Sequence, residues 1–248
     1  MAGHSKWANI KHRKAAQDNK KGKIFTKIAR ELTVAAKIGG GDAASNSRLR
    51  LALDKARAAN MPKDNVERAI KKGTGEGSDQ VFEDVTYEGY APGGVGILIK
   101  ALTDNRNRTI MEIRTVITKR GGSMAESGSV AWQFEYKGLI EIPVSACSED
   151  DIMNHALEAG AEDVITDGDV YSITTEPSEF ENVRQALETN GLTIEFAELT
   201  MKPKTTIDVE GDAAKKLIAM VEALEDLDDV QEVYGNYKID DSVFDELD

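Results

Sequence analysis

The spacing of apolar residues along the chain changes at one glycine-rich segment, Gly73-Thr-Gly-Glu-Gly-Ser78. Before this segment, apolar residues recur every three or four positions, which is typical of amphipathic helices. After it, short apolar runs bounded by turn residues alternate with helical patterns, which is typical of mixed α and β structure. Because glycine-rich stretches form flexible linkers, the segment predicts a boundary between a helical domain and the rest of the chain.

The charge of the chain reverses at the same segment. Residues 1–75 contain 18 lysines and arginines against six acidic residues, whereas residues 76–248 contain 13 against 38. The local net charges are therefore +12 and −25, although the whole chain carries −13 and has a pI of about 4.8. Since a phosphate responds to the local potential, the acidic pI does not exclude nucleic acid as a partner of the first segment.

Three helices joined by glycine-containing turns are predicted before the linker. The first carries an apolar stripe formed by Ile24, Ile28, Leu32 and Ala35. Gly39-Gly-Gly41 ends this helix, and a second helix fits residues 47–59. The third opens at Pro62, which suits a first helical position, and ends at Gly73 as a C′ residue. Three short helices with these turns predict a small bundle.

Beyond the linker, the pattern predicts two related α+β units. Residues 138–202 contain strand, helix, strand, strand, helix and strand, which is the ferredoxin-like split βαβ order. Residues 80–135 contain strands and a helix but lack a second helix and a closing strand, which residues 205–237 supply. The individual predictions are strands at 85–90, 95–102, 129–134 and 230–234, and helices at 106–120 and 212–227.

The predicted fold is therefore α+β, with an N-terminal three-helix domain and two ferredoxin-like domains, one inserted into the other. The basic helical domain covers residues 1–78. The discontinuous α+β domain covers residues 79–136 and 204–248, and the inserted ferredoxin-like domain covers residues 137–203.

A run of cations in and just before the first helix is the strongest functional signal, because nucleic-acid affinity is largely counterion release by lysine and arginine. The predicted phosphate contacts in this run are Lys6, Lys11, Arg13, Lys14, Lys20, Lys21, Lys23, Lys27 and Arg30. Trp7 and His12 lie within the run and are suited to stack on exposed bases, with packing of Trp7 against the bundle as the alternative. A solvated basic face is the competing interpretation of the whole run.

A second basic group opens the helix predicted at 106–120. Arg106 and Arg108 lie at its start, where the backbone amides of a helix N-terminus also favour anions. We predict phosphate contacts from both arginines, and a solvated helix face is the alternative. No residue is assigned to reading a particular base, so the pattern does not indicate sequence specificity.

The remaining reactive residues predict neither catalysis nor a cofactor. His4, His12 and His155 lack metal-ligand spacing, and no phosphate-binding loop or Ser-His-Asp arrangement occurs. The acidic clusters 149–151 and 226–229 are interpreted as solvated or helix-end charge, and a divalent-ion site in a metal-dependent enzyme is the alternative. The single Cys147 predicts an isolated thiol in a reducing cytosol, and the pattern predicts neither a secretory signal nor a membrane span. We therefore expect a cytoplasmic protein that is not an enzyme and binds no metal.

The chain resembles the YebC/PmpR family in several motifs distributed along nearly its whole length. The opening motif runs from His4 to Asp18 as His-Ser-Lys-Trp-Ala-Asn-Ile-Lys-His-Arg-Lys-Ala-Ala-Gln-Asp and continues as Gly22-Lys-Ile-Phe-Thr-Lys27. The later motifs are Asn60-Met-Pro-Lys63, Tyr87-Glu-Gly-Tyr90, Pro92-Gly-Gly94, Asp104-Asn-Arg-Asn-Arg-Thr109, Gly128-Ser-Val130, Ala156-Leu-Glu-Ala-Gly-Ala-Glu-Asp163 and Asp229-Val-Gln-Glu-Val-Tyr234. The resemblance implies three domains, a helical first one followed by two α+β domains.

The resemblance also implies a regulatory role with two competing forms. One is transcriptional regulation through DNA. The other is a ribosome-associated translation factor that binds ribosomal RNA and eases synthesis of difficult sequences such as proline runs, in keeping with mitochondrial relatives that activate translation of cytochrome oxidase. Both forms need a nucleic-acid-binding surface, and the acidic α+β domains are expected to contact a protein partner or to space that surface.

Overall fold

A computed structural model of the chain describes residues 18–75, 82–239 and 243, with the backbone alone for residues 18–21. The described helices are α1 (Asp18–Gly39), α2 (Ser47–Ala58), α3 (Lys63–Gly73), α4 (Arg106–Lys119), α5 (Glu149–Glu158), α6 (Phe180–Thr189) and α7 (Gly211–Glu225). The described strands are β1 (Glu83–Ala91), β2 (Val95–Thr103), β3 (Ser123–Met124), β4 (Phe134–Pro143), β5 (Asp163–Asp167), β6 (Val170–Thr175), β7 (Phe196–Pro203), β8 (Ile207–Val209), β9 (Val230–Gly235) and β10 (Tyr237–Ile239). The predicted α+β class is confirmed.

The first three helices pack around a small apolar core. The buried members of this core are Ile28, Leu32, Ala35, Leu49, Ala52, Ala56 and Ala69. Asn46 caps α2 by accepting a hydrogen bond from the Leu49 amide at 3.0 Å, and its own amide group donates to the carbonyls of Ala35 and Gly40 at 2.8 Å. One buried asparagine therefore starts α2 and satisfies carbonyl groups at the end of α1.

Two details of α3 differ from the sequence prediction. Pro62 is the N-cap, with an extended ψ of 137°, and Lys63 is the first helical residue. Gly73 belongs to the helix itself, and Thr74 is the C-cap with φ −80°. A Cβ atom at Gly73 would lie 2.2 Å from the carbonyl oxygen of Thr33, so close helix packing rather than a left-handed turn requires glycine there.

The first sheet has the strand order β3-β1-β2-β9. Strands β1 and β2 form an antiparallel hairpin whose register runs from Glu83 opposite Thr103 to Ala91 opposite Val95. The turn between them contains Gly93 and Gly94 with φ of 82° and 77°, a region that strongly favours glycine. Nearly every residue of β2 is buried, which fits a strand covered on both faces.

The predicted strand at 129–134 is wrong. Residues 131–133 form a single 3₁₀ turn, which the Gln133 amide closes on the Val130 carbonyl at 3.0 Å. Strand β4 starts only at Phe134 and runs without interruption to Pro143. Pairing with β6 on one side and β7 on the other sustains this long strand, and neither pairing is visible in the local pattern.

The second sheet has the order β5-β6-β4-β7, and all its neighbouring strands are antiparallel. Along the chain these strands and their helices follow the order β4-α5-β5-β6-α6-β7, which is the predicted split βαβ order. Ile140, Ile142, Ile152, Ile173 and Val183 are fully buried and form part of its core. Strands β8 and β10 form a separate parallel pair that the sequence did not predict.

The described residues divide into two compact units. One contains residues 18–75, 82–129 and 211–234, and therefore holds α1–α3, β1–β3, α4, α7 and all of β9 except its last residue. The other contains residues 130–210 and 235–239 together with residue 243. The three-domain division given above stays a prediction.

Candidate nucleic-acid interface

Helix α1 presents its described cations on one flank. Lys23, Lys27 and Arg30 are four and three positions apart, so they lie about one helical turn from each other. The neighbouring stripe of the helix, which includes Leu32 and Ala35, is buried in the bundle core. The amphipathic pattern therefore fixes the rotation of α1 and turns these three cations away from the core.

Arg30 is fixed by four groups, which lie near the end of β2, just before β9 and just before β1. Its guanidinium donates to the carboxylate of Asp229 at 2.8 Å and to the carbonyls of Asp228 at 2.9 Å and Leu102 at 3.1 Å. The guanidinium also lies 5.1 Å from the centre of the Phe82 ring, which is within cation–π range. Arg30 thus contacts carboxylate, carbonyl and aromatic groups at once.

The other two cations reach the end of α7. Lys27 donates to the carbonyl of Glu225. Lys23 donates to the carbonyl of Asp226 at 3.2 Å and lies 3.8 Å from the carboxylate of the same residue. We call residues 225–229 the acidic turn. Its helix-end carbonyls and its carboxylates together form a negative surface that favours cations.

Asp229 is the buried centre of this region. Its side chain is 3% exposed and accepts hydrogen bonds from Arg108 at 2.6 Å, Thr109 at 2.7 Å and Thr103 at 3.0 Å, besides Arg30. Burial alone would raise the pKa of Asp229, but the hydrogen bonds from Thr109, Arg108 and Thr103 and the charge of Arg108 outweigh burial and lower it. The earlier interpretation of the 226–229 cluster as solvated acid is therefore wrong for Asp229.

The second basic group also lies among carboxylates. Arg106 donates to Glu83 at 2.6 Å, and Arg108 donates to Asp104 at 2.8 Å as well as to Asp229. The hydrogen bonds to Asp229 and Asp104 raise the pKa of Arg108. Helix α4, which carries both arginines, is capped by Asn105, whose side chain accepts from the Arg108 amide at 3.1 Å.

A cleft with a volume of about 980 Å³ lies beside these contacts. The cations on its walls are Lys23, Arg30, Arg68, Lys72 and Arg108, and two of its aromatic side chains are Phe25 and Phe82. Sequence reasoning missed Arg68, Lys72 and Phe82. The spacing of four between Arg68 and Lys72 on α3 indicates one shared helix face and was the available signal, whereas nothing local to Phe82 marks it.

Part of the predicted site lies outside the described residues. Lys6, Trp7, Lys11, His12, Arg13 and Lys14 belong to that part. Lys20 and Lys21 lie in α1, where only the backbone is described. The structure brings Lys23, Arg30 and Arg108 to one cleft. Lys27 lies between Lys23 and Arg30 on α1, at the edge of this cleft. Arg106 does not line the cleft and pairs with Glu83. Phosphate binding by these residues stays a prediction.

Within residues 18–75 and 82–239, no group of three His, Cys, Asp or Glu side chains is arranged to hold a metal ion. Burial raises the pKa of the Cys147 thiol, and the nearby Asp151 carboxylate adds to the effect, so this thiol is less easily ionised than a free one. Among the described helices, none combines the length and the apolar character needed to cross a bilayer.

The chain is similar to proteins of one family along almost its whole length. Residues 5–76 match the family model described as the TACO1/YebC protein N-terminal domain, and residues 82–237 match that described as the TACO1/YebC second and third domain. A protein of Acidithiobacillus ferrooxidans named "Probable transcriptional regulatory protein" is 57% identical over 241 residues, which are 97% of this chain and 96% of that protein. A protein of the same name from Kosmotoga olearia is 57% identical over 248 residues, which are 100% of this chain and 98% of that protein.

A solved structure gives the same result for the fold. The crystal structure of a conserved hypothetical protein from Aquifex aeolicus is similar with a TM-score of 0.78 and 48% identity, and the match covers 90% of this chain and 93% of that one. The α+β fold described above is therefore similar to that of an experimental structure of a related chain.

Proposed function

The chain belongs to the TACO1/YebC family, and from this premise we propose that it is a cytoplasmic regulatory protein that acts by binding nucleic acid and not by catalysis. Relatives at 57% identity are named as transcriptional regulatory proteins, which supports the regulatory part of the proposal. The nucleic-acid part is supported by the charge of the first 75 residues, which carry 18 lysines and arginines against six acidic residues.

One observation carries the proposal. Three cations on one flank of α1, two on α3 and one on α4 gather at a single cleft or its edge, and the first of them directly continues, in the sequence, the basic run of residues 6–21. A phosphate backbone that follows the run would thus continue along α1 towards Arg30. Cations arranged in a continuous row suit a polymer of phosphates better than a single small anion.

The transcriptional form of the proposal takes duplex DNA as the target. Ribosomal RNA is the alternative target, because the family motifs also imply a ribosome-associated translation factor. The contacts of lysine and arginine with phosphates do not distinguish the two, since such contacts position a protein without reading bases. We assign the acidic α+β portion of the chain a role in contacting a protein partner.

Two measurements on the full-length chain test the proposal. The purified protein is titrated onto duplex DNA and onto ribosomal RNA, and ribosomes are sedimented from lysate at low and moderate salt. Duplex binding with a sequence preference, without ribosome association, supports the transcriptional form. Stable ribosome association with only weak, sequence-blind DNA binding contradicts that form and favours the translational one. Failure to bind either nucleic acid contradicts both.

A further inference from the structure

Three of the cations predicted to hold phosphates are already bound by the protein itself. Lys23, Lys27 and Arg30 contact the acidic turn through two carboxylates and three carbonyl oxygens. These oxygens are the same kind of anionic or dipolar acceptor that a phosphodiester backbone presents to lysine and arginine. The acidic turn therefore occupies the positions that a bound nucleic acid would need on this flank of α1.

The contacts become less buried along α1 from Arg30 towards its N-terminus. The side chain of Arg30 is 16% exposed, whereas those of Lys23 and Asp226 are 49% and 58% exposed. Exposed ion pairs contribute little net stability, because water and salt compete with them. The Lys23 contact can therefore be exchanged for a phosphate contact at small cost, so displacement begins at the end of α1 that meets the basic run.

Release of the cations does not require the fold to open. Asp229 keeps its bonds to Thr103, Thr109 and Arg108 when Arg30 leaves. Elsewhere, Arg48 bonds to Asp84, and Lys55 to Glu232, so the helices stay attached to the first sheet. Movement of three long side chains is sufficient to present the flank to a ligand.

We propose that the acidic turn is an autoinhibitory latch, which a phosphodiester backbone must displace from Lys23, Lys27 and Arg30 in order to bind. This proposal rests on the proposed function, because it specifies how the nucleic-acid surface is regulated. The protein then exists in a closed state, in which the cations face the turn, and an open state, in which they face phosphates. Any change that weakens the turn's negative charge shifts the population towards the open state.

The latch is tested by removing its charge from the full-length chain. Asp229→Asn removes the buried carboxylate charge that faces Arg30, and Asp226→Asn removes the exposed carboxylate that faces Lys23. Asp212→Asn removes one equal charge at the opposite end of α7 and is the matched control. Binding of each chain to a labelled 20-nucleotide single-stranded RNA and a 20-base-pair DNA duplex is measured at low salt. Unfolding midpoints verify that each chain is folded, and Asp226→Asn provides a surface variant in case Asp229→Asn does not fold.

If the latch exists, Asp226→Asn binds nucleic acid more tightly than the wild type, and Asp229→Asn binds more tightly still. We expect an increase in affinity on the order of fivefold or more for Asp229→Asn, because fivefold is the lower end of the usual coupling between a ligand and a conformational equilibrium. The control is expected to bind like the wild type. Comparable affinity for wild type, control and both latch variants would overturn the latch while leaving the proposed function standing. Weaker binding by the folded latch variants would also overturn it. Absence of binding by every chain, including the wild type, overturns the proposed function itself. The RNA and DNA arms show which backbone is the target.

Discussion

Arg30 donates a hydrogen bond to Asp229 across 2.8 Å, although 199 positions separate the two residues in the sequence. The same carboxylate accepts bonds from Thr103 at the end of β2 and from Arg108 and Thr109 in α4. One buried acid thus connects α1 of the helical bundle to the first sheet and to the helix that follows it. The contact links the proposed binding surface directly to the core of this unit.

Asp229→Ala is expected to destabilise the protein by about 3 kcal/mol or more, because two arginines and two buried hydroxyl groups each lose the carboxylate that accepts from them, although some keep other acceptors. Urea unfolding of the full-length chain measures the effect. Asp228→Ala is the control, since that residue is exposed and contributes only its carbonyl to Arg30. Equal midpoints for the two variants would show that Asp229 is not a structural centre.

Arg48 provides a second connection and a second prediction. Its guanidinium donates to Glu31 of α1 at 2.7 Å and to Asp84 of β1 at 2.8 Å. Arg48→Met is expected to lower the free energy of unfolding by about 1 kcal/mol, a small loss because the ion pairs are partly exposed. Arg48→Lys is expected to recover only part of this loss, because an ammonium group lacks the planar guanidinium donors that bond two carboxylates. Arg50→Met, at an exposed position of the same helix, is the control in a urea titration. A larger loss of stability in Arg50→Met than in Arg48→Met would contradict the role of Arg48 as a connection between α1 and β1.

Gly73 yields a prediction about helix packing. An added Cβ atom would lie 2.2 Å from the Thr33 carbonyl oxygen and 2.8 Å from the Ala36 Cβ atom, so Gly73→Ala must push α3 away from α1. We expect a loss of about 1–3 kcal/mol, as for other overpacked sites. Gly22→Ala on α1 meets no atom within 4 Å and is expected to stabilise the helix by about 0.5–1 kcal/mol. Thermal unfolding of both variants gives the comparison, and shifts in the same direction would argue against close packing at Gly73.

Most of the secondary structure could be predicted from the sequence, because it follows from local patterns. The apolar period of residues 24–35 predicts α1, and the turn at Pro92-Gly-Gly94 predicts the hairpin of β1 and β2. The strand at 129–134 was wrong because strand pairing with distant residues, and not local propensity, decides where β4 begins. The role of Gly73 was misread for a similar reason, since both a turn and a close helix contact require glycine.

The site was less predictable than the fold. The basic flank of α1 follows from spacing, but the acidic turn that faces it comes from residues about 200 positions later. A cluster of aspartates in a sequence is usually solvated, and no local signal distinguishes buried Asp229 from exposed Asp228. Charge composition therefore indicates that cations and acids are both abundant, whereas only the tertiary structure shows which of them meet.

Glu232 is expected to account for part of the stability that the protein loses at low pH. Burial would raise its pKa, but the charge and hydrogen bond of Lys55, the hydroxyl of Tyr234 and the charge of Lys100 outweigh burial and lower the pKa from 4.5 to about 2. A carboxyl group with a lowered pKa in the folded state stabilises the protein above its unfolded pKa, and that stability is lost as the pH falls towards the folded value. The loss therefore occurs between about pH 5 and pH 2.

Glu232→Gln is expected to be less stable than the wild type at pH 7 and to lose less further stability on acidification, because one titrating group is absent. Urea unfolding at several pH values between 7 and 3 measures how the free energy of unfolding of each chain changes with pH. Glu210→Gln, at an exposed position, is the control and is expected to follow the wild type. Parallel curves for wild type and Glu232→Gln would mean that Glu232 does not contribute to the acid response.

The most direct test of nucleic-acid binding by the basic segment is the salt dependence of affinity for duplex DNA or ribosomal RNA. Two full-length variants that each lose four positive charges are compared. One carries glutamine at Lys6, Lys11, Arg13 and Lys14, and the control carries glutamine at Arg57, Lys63, Lys216 and Lys238. On duplex DNA, each phosphate contact contributes about −0.9 to the slope of log affinity against log salt, so we predict a slope shallower by roughly three to four in the first variant and unchanged in the control. Equal slopes in the two variants would contradict binding by this segment.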